Sequence, residues 1–504
     1  MSLPDWLDPV YEAAEMRAVD AWAIEEQGVP SLDLMERAGA GLARVAAEAA
    51  RPGRVRVVIG KGNNGGDGLV AARLLRADGY EIDVLTVALL DELRGDALAN
   101  LERLPGAQPE PFDAERMNDS GVIVDALLGT GFEGVAREPL AGAIAAINAQ
   151  DAPVVACDVP SGVDASTGEV EGEAVRARTT ATFHGSKLGL HVEPGRSHAG
   201  QVEVVDIGVP RGAPQPREAG LISERVLDLY PRRGRSGSKF ESGVVLVVGG
   251  SAGLTGAPTM AARSASRAGA GYVQVAVPQS AQAAIDMRLL EQMSRGLPEH
   301  GGAHTPTGVP EAEEMAERAG AVVLGPGLGR GEGAAEFARA VAAGVGSPLL
   351  IDADGLNAHA GRLELLKGRG APTVLTPHEG ELGRLLEIDS EQVKARRLAR
   401  AREAAERSGA VVLLKGDDSI VAAPGGPVAV NRGATAALAT AGTGDVLSGL
   451  IGALLAKRLP AFEAAALGAL AHALAGRAAA ERHGADHVVA GDVIDALPYG
   501  LTLR

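Results

Sequence analysis

The sequence predicts two tandem α/β domains, each built on a mostly parallel sheet. Three observations carry this. At 504 residues the chain is too long for one ordinary core and suggests two domains of roughly 200–250 residues each. Short apolar runs alternate with helical-period segments twice over, the pattern of parallel sheets covered on both faces. Between the two alternations, from Gly208 to Lys239, the chain turns rich in Pro, Gly and Arg, which is a linker composition.

Residues 12–50 show helical spacing, with Ala13, Met16, Val19 and Ile24, then Leu34, Ala38, Leu42 and Val45, apolar. Pro30-Ser31 separates two helices, with Ser31 in position to cap the second. Strands are expected at 55–59, 82–87, 122–126, 154–156 and 202–207, with helical patterns at 67–78, 91–104 and 137–149. The linker carries one short helix around 224–229. A second set of strands is expected at 244–248, 272–277, 321–324, 349–352, 373–376 and 411–414. Residues 440–444 then open one long helical region reaching about residue 481. The resulting boundaries are 1–210 for the first domain, 211–238 for the linker and 239–504 for the second domain.

An apolar fraction of 46% is that of a soluble globular protein. The net charge of −17 disfavours nonspecific binding of nucleic acid or anionic membrane as the main task. The single cysteine, Cys157, excludes an intramolecular disulfide and a Cys-rich zinc site, and reads as a core residue. No run approaches the ~18 apolar residues of a membrane span, and the acidic start lacks a signal-peptide pattern, so a cytoplasmic location is expected. Lysine is scarce, yet Lys61, Lys187, Lys239 and Lys415 all fall in or beside motifs.

The first motif joins a strand to a helix. Gly60-x-Gly62-x-x-Gly65 satisfies the dinucleotide fingerprint. That fingerprint offers bare N–H groups to a pyrophosphate at a helix N-terminus, whereas this loop carries Asn63, Asn64 and Asp67. Asp67 suits a helix start but would repel a phosphate beside it. The loop therefore reads as built for polar recognition, with a place for a cation. Two further strand ends carry polar clusters, at 125–131 and 158–164, where ligands of open parallel sheets gather. Singly, Asp125 could cap a turn and Ser161 could be a turn residue. Jointly, two carboxylates, an amide and a hydroxyl in one crevice are costly without a cation or polar ligand. Oxygen ligands of low charge suit a hard cation rather than zinc. Ser161 lies in Val-Pro-Ser-Gly-Val, not the Gly-x-Ser-x-Gly of a hydrolase.

The second half carries three features. Residues 249–258 form a glycine-rich loop without the Gly-Lys-Ser/Thr ending of a Walker motif. Lys415-Gly416 at a strand end reads either as a turn or as the start of a binding loop. Ala441-Gly442-Thr443-Gly444-Asp445 precedes an apolar helix, so unpaired N–H groups and a helix dipole converge beside a carboxylate. Such a turn can hold a transferring phosphoryl group while Asp445 takes a hydroxyl proton; the plain alternative is a first-turn acid. His378-Glu379 lacks the second histidine of a zincin. Asp352-x-Asp354-Gly lacks the twelfth-position Glu of an EF-hand, where Leu363 stands.

Residues 12–210 resemble the epimerase domain of the NAD(P)H-hydrate repair enzymes. The resemblance rests on Met16-Arg17 with Asp20, Leu34-Met35-Glu36-Arg37-Ala38-Gly39, the 60–68 loop, residues 125–131, residues 158–164 with Thr167-Gly168, and Thr182-Phe183 with Lys187. It implies that Asn63, Asn64, Gly65, Gly66 and Asp67, with Gly129, Thr130, Gly131, Phe132, Glu133, Gly134 and Val135, contact the hydrated nicotinamide nucleotide. It also implies a potassium ion on Asn64, Asp125 and Ser161, with Asp158 as substrate-binding acid/base.

The later motifs resemble the ribokinase-like dehydratase domain of the same enzymes. They are Lys239-Phe240, residues 249–258, Gly325-Pro326-Gly327-Leu328-Gly329, Asp352-Ala353-Asp354-Gly355-Leu356-Asn357, Thr376-Pro377-His378-Glu379-Gly380-Glu381, residues 415–419 and Gly442–Asp445. The resemblance implies that Ala257, Gly327, His378 and Asp445 meet the hydrate, and that Lys415, Gly416, Asp417, Asp418, Ser419 and Gly444 bind ADP. Gly442 and Gly444 form the anion hole and Asp445 is the base. The implied fold is an N-terminal Rossmann-like three-layer sandwich followed by a C-terminal ribokinase-like α/β domain. The implied function is repair: epimerisation of the hydrates of NADH and NADPH, then ADP-dependent dehydration of the S form to give AMP and phosphate. Magnesium is expected with ADP, and a homo-oligomer is expected. The rival reading is a vitamin or sugar kinase fused to a non-catalytic nucleotide-binding module. A hydride-transferring dehydrogenase fits less well, since no clear ribose-binding acid follows a standard second strand.

Overall fold

The computed structural model describes residues 3–233, 238–433 and 435–502. The chain divides into two units, one holding Pro9–Ala219 and the other holding Pro4–Asp8 with the chain from Gly220 onward. The segment expected as a linker is partly ordered into the second unit: Ala219–Ile222 is a buried strand and Glu224–Leu229 a 3-10 helix. Residues 234–237 of that segment lie outside the described residues.

The first unit holds seven strands in the order Glu110–Pro111, Ile82–Thr86, Arg54–Ile59, Ser120–Ala126, Val154–Cys157, Thr179–Phe183 and Gln201–Val205. Every pairing is parallel. Five of these strands were legible as apolar runs. Thr179–Phe183 was not, because Thr-Thr-Ala-Thr-Phe is half hydroxylated. Burial still suits it, since Thr180 Oγ1 donates to the Ala199 carbonyl at 2.7 Å and Thr182 Oγ1 to Asp158 at 3.2 Å. The helix Ser31–Ala49 buries Leu34, Ala38, Leu42 and Val45, the face its spacing marks. Pro30, not Ser31, takes the cap position, and Ser31 is the first helical residue.

The helix Asn63–Ala77 begins four residues earlier than expected, so residues 63–67 are its first turn. Glycine makes this possible by close approach. A Cβ on Gly65 would lie 2.1 Å from the Gly60 carbonyl oxygen, and one on Gly60 would lie 2.1 Å from the Leu127 carbonyl oxygen. The turn after Arg54–Ile59 is thus drawn against the end of Ser120–Ala126.

The second unit's sheet runs Leu7–Val10, Ala219–Ile222, Val428–Val430, Ile420–Ala422, Val411–Leu414, Thr373–Leu375, Leu349–Ile351, Ala321–Leu324, Val244–Val248, Tyr272–Pro278, Met293–Leu297. From Val411–Leu414 to Met293–Leu297 it is parallel, while Ile420–Ala422 pairs antiparallel with both its neighbours. The expected single helical region after residue 440 is two helices, Thr443–Ala456 and Ala461–His483. Arg458 at φ 68° and Pro460 make the break. Among the described residues no helix is long and apolar enough to cross a membrane.

Gly65→Ala should lower the stability of the first unit by about 1–3 kcal/mol, because the added methyl meets fixed backbone. Gly131→Ala, with nothing within 4 Å of the new atom, should change it by under about 1 kcal/mol. Thermal unfolding of the two variants compares them directly.

Candidate functional site

The strand ends of the first unit open into a cavity of about 850 Å³. Asn63, Asn64 and Asp67 line it from the helix start, Gly129, Thr130, Gly131, Phe132 and Glu133 from the loop after Ser120–Ala126, and Asp158 and Lys187 from the following strand ends. Four expected contacts fall outside the lining. Gly65 and Gly66 are buried packing positions, Gly66 against the Met35 sulfur. Gly134 and Val135 stand beyond the lining, with Val135 51% exposed.

Asp158 sits at φ 65°, a conformation that costs energy outside glycine and clusters at functional sites. Its carboxylate receives Lys187 Nζ at 2.5 Å, Thr182 Oγ1 at 3.2 Å, the Phe183 N–H at 3.4 Å, and the Thr130 hydroxyl. Burial alone would raise its pKa, but the Lys187 ammonium and these hydrogen bonds outweigh burial and hold it below the ordinary value. Lys187 is 1% exposed and spends its other donors on Thr182 Oγ1 and the Phe183 carbonyl, both at 3.0 Å.

Asp67 has the opposite environment. It is 8% exposed, and among the described residues no hydrogen-bond donor reaches its carboxylate. Burial, followed by the charges of Asp158 and Asp20, pushes it well above the usual carboxylate range, against the pull of Lys187. The rise in Asp67 acts against the repulsion expected between its carboxylate and a phosphate. Asp20, also lining the cavity, is raised first by burial, with Lys187 opposing.

Of the residues read as a cation site, Asn64 lines the cavity and Asp125 and Ser161 lie behind it. Asp125 is fully buried. It accepts from the Ser161 N–H at 2.8 Å, Ser161 Oγ at 2.6 Å and the Leu127 N–H at 3.3 Å. The Leu128 N–H donates to Ser161 Oγ at 2.9 Å, and Asn64 Nδ2 donates to the Leu128 carbonyl at 2.7 Å. Burial pushes Asp125 up to about 6; its hydrogen bonds oppose this, and no cationic side chain is among the influences on it. A buried carboxylate with no cationic partner, beside hydroxyl and carbonyl oxygens, suits a hard cation.

In the second unit Gly442, at φ 93°, caps the helix Thr443–Ala456, whose first turn has N–H groups without intrahelical acceptors. Asp445 in that turn is half-buried and pushed up to about 7, first by burial and then by Asp352, against Lys415. Lys415 Nζ lies 2.9 Å from Asp352 Oδ1 and 3.6 Å from Glu381 Oε2. Ala257 and Gly327 are brought together, since a Cβ on Gly327 would lie 3.2 Å from that of Ala257. His378 caps the helix Glu379–Leu386, its Nδ1 accepting from the Gly380 N–H at 3.0 Å.

Asp418 differs from its neighbours in the block read as nucleotide ligands. It is fully buried, with its carboxylate 2.7 Å from Arg397 Nη2. Arg397 also reaches Glu379 at 2.5 Å and the Lys415 carbonyl at 3.2 Å. The Asp418 side chain thus shapes the loop, while Gly416 and Asp417 are exposed. No separate role was read for Lys187, Asp352, Glu381 or Arg397. The scarcity of lysine flagged Lys187; nothing local distinguished Arg397 among many arginines. Among the described residues no group of three His, Cys, Asp or Glu is arranged to hold a metal.

A family described as NAD(P)H-hydrate dehydratase matches residues 245–499, and one described as YjeF-related protein N-terminus matches residues 31–189. The bifunctional NAD(P)H-hydrate repair enzyme Nnr of Salinibacter ruber is 43% identical over 97% of this chain and 95% of its own length. Its counterpart in Moorella thermoacetica is 40% identical over 97% and 96%. The structure of an ADP/ATP-dependent NAD(P)H-hydrate dehydratase from Bacillus subtilis, co-crystallized with ATP/Mg2+, is 26% identical, with a TM-score of 0.48 over 55% of this chain and 95% of that one.

Lys187→Met should destabilise the first unit by about 3–5 kcal/mol, because it strands the buried Asp158 charge. Adding Asp158→Asn removes that charge and should recover most of the loss. Urea unfolding of the single and double variants tests this, and equal losses would refute the pairing.

Proposed function

The chain belongs to the family of bifunctional NAD(P)H-hydrate repair enzymes, and from that premise we propose that its first unit epimerises the hydrates of NADH and NADPH while its second dehydrates the S form. The observation that carries the first assignment is one cavity holding two carboxyl groups that their surroundings push in opposite directions, Asp158 below the ordinary range and Asp67 well above it. Environments that push two carboxyl groups apart assign acid and base roles.

The hydrate carries a hydroxyl on C6, beside the ring nitrogen. Asp67 protonates this hydroxyl, water leaves, and the nitrogen lone pair makes a planar iminium ion. Asp158, kept ionised by Lys187, stabilises the positive ring. Water adds to the opposite face and gives its proton to Asp158, the base of the pair, and exchange with solvent returns each carboxyl to its starting form. Asn63 and residues 129–133 orient the nucleotide. Asn64, Asp125 and Ser161 would hold potassium, which supplies a fixed positive charge beside the buried carboxylate.

In the second unit, Lys415 and the backbone of residues 416–419 hold ADP, which arrives as its magnesium complex. Ala257, Gly327 and His378 position the hydrate. Asp445 removes the C6 hydroxyl proton and the oxygen takes the β-phosphoryl group, leaving AMP. Gly442 and Gly444 N–H groups neutralise the charge in flight. The ring nitrogen expels phosphate, and loss of a C5 proton restores the dihydropyridine.

The decisive assay mixes both hydrate epimers with the protein, with and without ADP and magnesium, and follows dihydronicotinamide absorbance. Complete, ADP-dependent recovery with release of AMP is expected. ATP consumed to ADP with a stable phosphorylated product would instead establish a kinase. The rate constant kcat/KM for dehydration should rise with pH through about 7 as Asp445 loses its proton, and Asp445→Asn should lower it about 10²–10⁴-fold.

Potassium binding has its own pH signature. Asp125 is raised from about 3.9 in the unfolded chain to about 6 in the fold. Its neutral form stabilises the fold at low pH, and that contribution is lost as pH climbs through this window. Potassium chloride, compared with a bulky organic cation, should therefore raise the unfolding temperature at pH 8 but not at pH 4. Asp125→Asn should abolish the difference.

A further inference from the structure

Asp352 follows the strand Leu349–Ile351 and is 2% exposed. Its two oxygens serve two different elements. Oδ1 accepts from Lys415 Nζ at 2.9 Å, and Oδ2 accepts from Ser448 Oγ at 2.6 Å. Lys415 follows the strand Val411–Leu414 and opens the loop assigned to ADP. Ser448 lies one turn into the helix Thr443–Ala456, its hydroxyl 3.0 Å from the Gly444 carbonyl. A Cβ built on Gly444 would lie 3.6 Å from Lys415 Nζ, so the ammonium rests against the first turn of that helix. The next residue, Ala353, is held at φ 50°, a strained conformation that a bystander aspartate gives no reason to retain.

A buried ion pair contributes little net stability against an apolar replacement, and its best-attested use is to fix register. Here the register in question is between the nucleotide loop and the phosphoryl-accepting turn. We infer that Asp352 is a positioning residue for phosphoryl transfer: its carboxylate holds the Lys415 ammonium and the Gly442–Gly444 turn at one spacing, so that both meet the phosphoryl group in flight. This rests on the ADP-dependent dehydration proposed above. Asp352 does not touch the substrate in this scheme; it acts through Lys415 and Ser448.

The same placement sets the electrostatics at Asp445. The charged groups acting on it are Asp352, Lys415, Glu381 and Asp354. His472, from the helix Ala461–His483, bonds to the Thr443 backbone and is kept neutral by burial. Asp352 is the foremost of the anions that favour the protonated base.

The test is steady-state kinetics of the full chain carrying Asp352→Asn or Ser448→Ala, with ADP, magnesium and the S hydrate. A misplacement on the order of 1 Å costs about 10²-fold in rate. Asp352→Asn should therefore lower kcat about 10²-fold while the KM for ADP moves less than about 3-fold, and should shift the pH limb near 7 to lower pH. Ser448→Ala should lower kcat by a smaller factor and leave the limb in place. An unchanged kcat and pH limb in Asp352→Asn would overturn the inference. So would a raised ADP or magnesium requirement at full kcat, which would make Asp352 a ligand. If Asp352→Asn loses the second unit's unfolding transition, Ser448→Ala decides, and an unaltered kcat there overturns the inference. Absence of ADP-dependent dehydration in the unmodified chain would instead overturn the parent reading.

Discussion

In each unit a lysine side chain reaches the carboxyl edge of a parallel sheet, where an aspartate at another strand end meets it. Lys187 finds Asp158 at 2.5 Å, and Lys415 finds Asp352 at 2.9 Å. Moving an ammonium out of water costs several kcal/mol, so each pair constrains everything around it. Thr130, Thr182 and the Phe183 N–H are committed to the first pair, and Ser448 to the second. In both places the chain carries a non-glycine residue at positive φ, Asp158 itself and Ala353. Such strain persists where the surroundings over-determine it.

Once those pairs are in place, the remaining carboxyl groups divide by environment. Asp158 is held ionised by its lysine, whereas burial without comparable donors raises Asp67. Asp445 is raised by burial and by the Asp352 carboxylate, with Lys415 moderating the effect. Asp125 is the case in which hydrogen bonds limit the rise without removing it. One residue type thus stands in four different electrostatic environments. Burial, hydrogen bonds and neighbouring charges, rather than side-chain chemistry, distinguish them.

Backbone approach makes the first cavity possible. Gly60, Gly65 and Gly66 each sit where a methyl group would overlap a neighbour. Two of the glycines read as ligand contacts, Gly65 and Gly66, thus lie outside the cavity lining and hold the backbone close to its neighbours. A glycine-rich loop looks the same in a sequence whether its glycines face a ligand or another strand.

The positions of most parallel strands, the two-unit organisation and most motif positions were legible because they depend on local periodicity and on residues adjacent in the chain. Apolar runs marked the strand at 55–59 and its neighbours, and Gly442–Asp445 marked a helix start with its own acid. Thr179–Phe183 escaped because its buried hydroxyls are satisfied by Ala199 and Asp158, partners 19 and 24 residues away. The burial of Asp418 against Arg397, 21 residues apart, escaped for the same reason. What the amino-acid sequence determined by itself was which chemical groups stand at the strand ends. Only the tertiary structure decided which of them are charged, because that depends on burial and on partners that distant segments bring together.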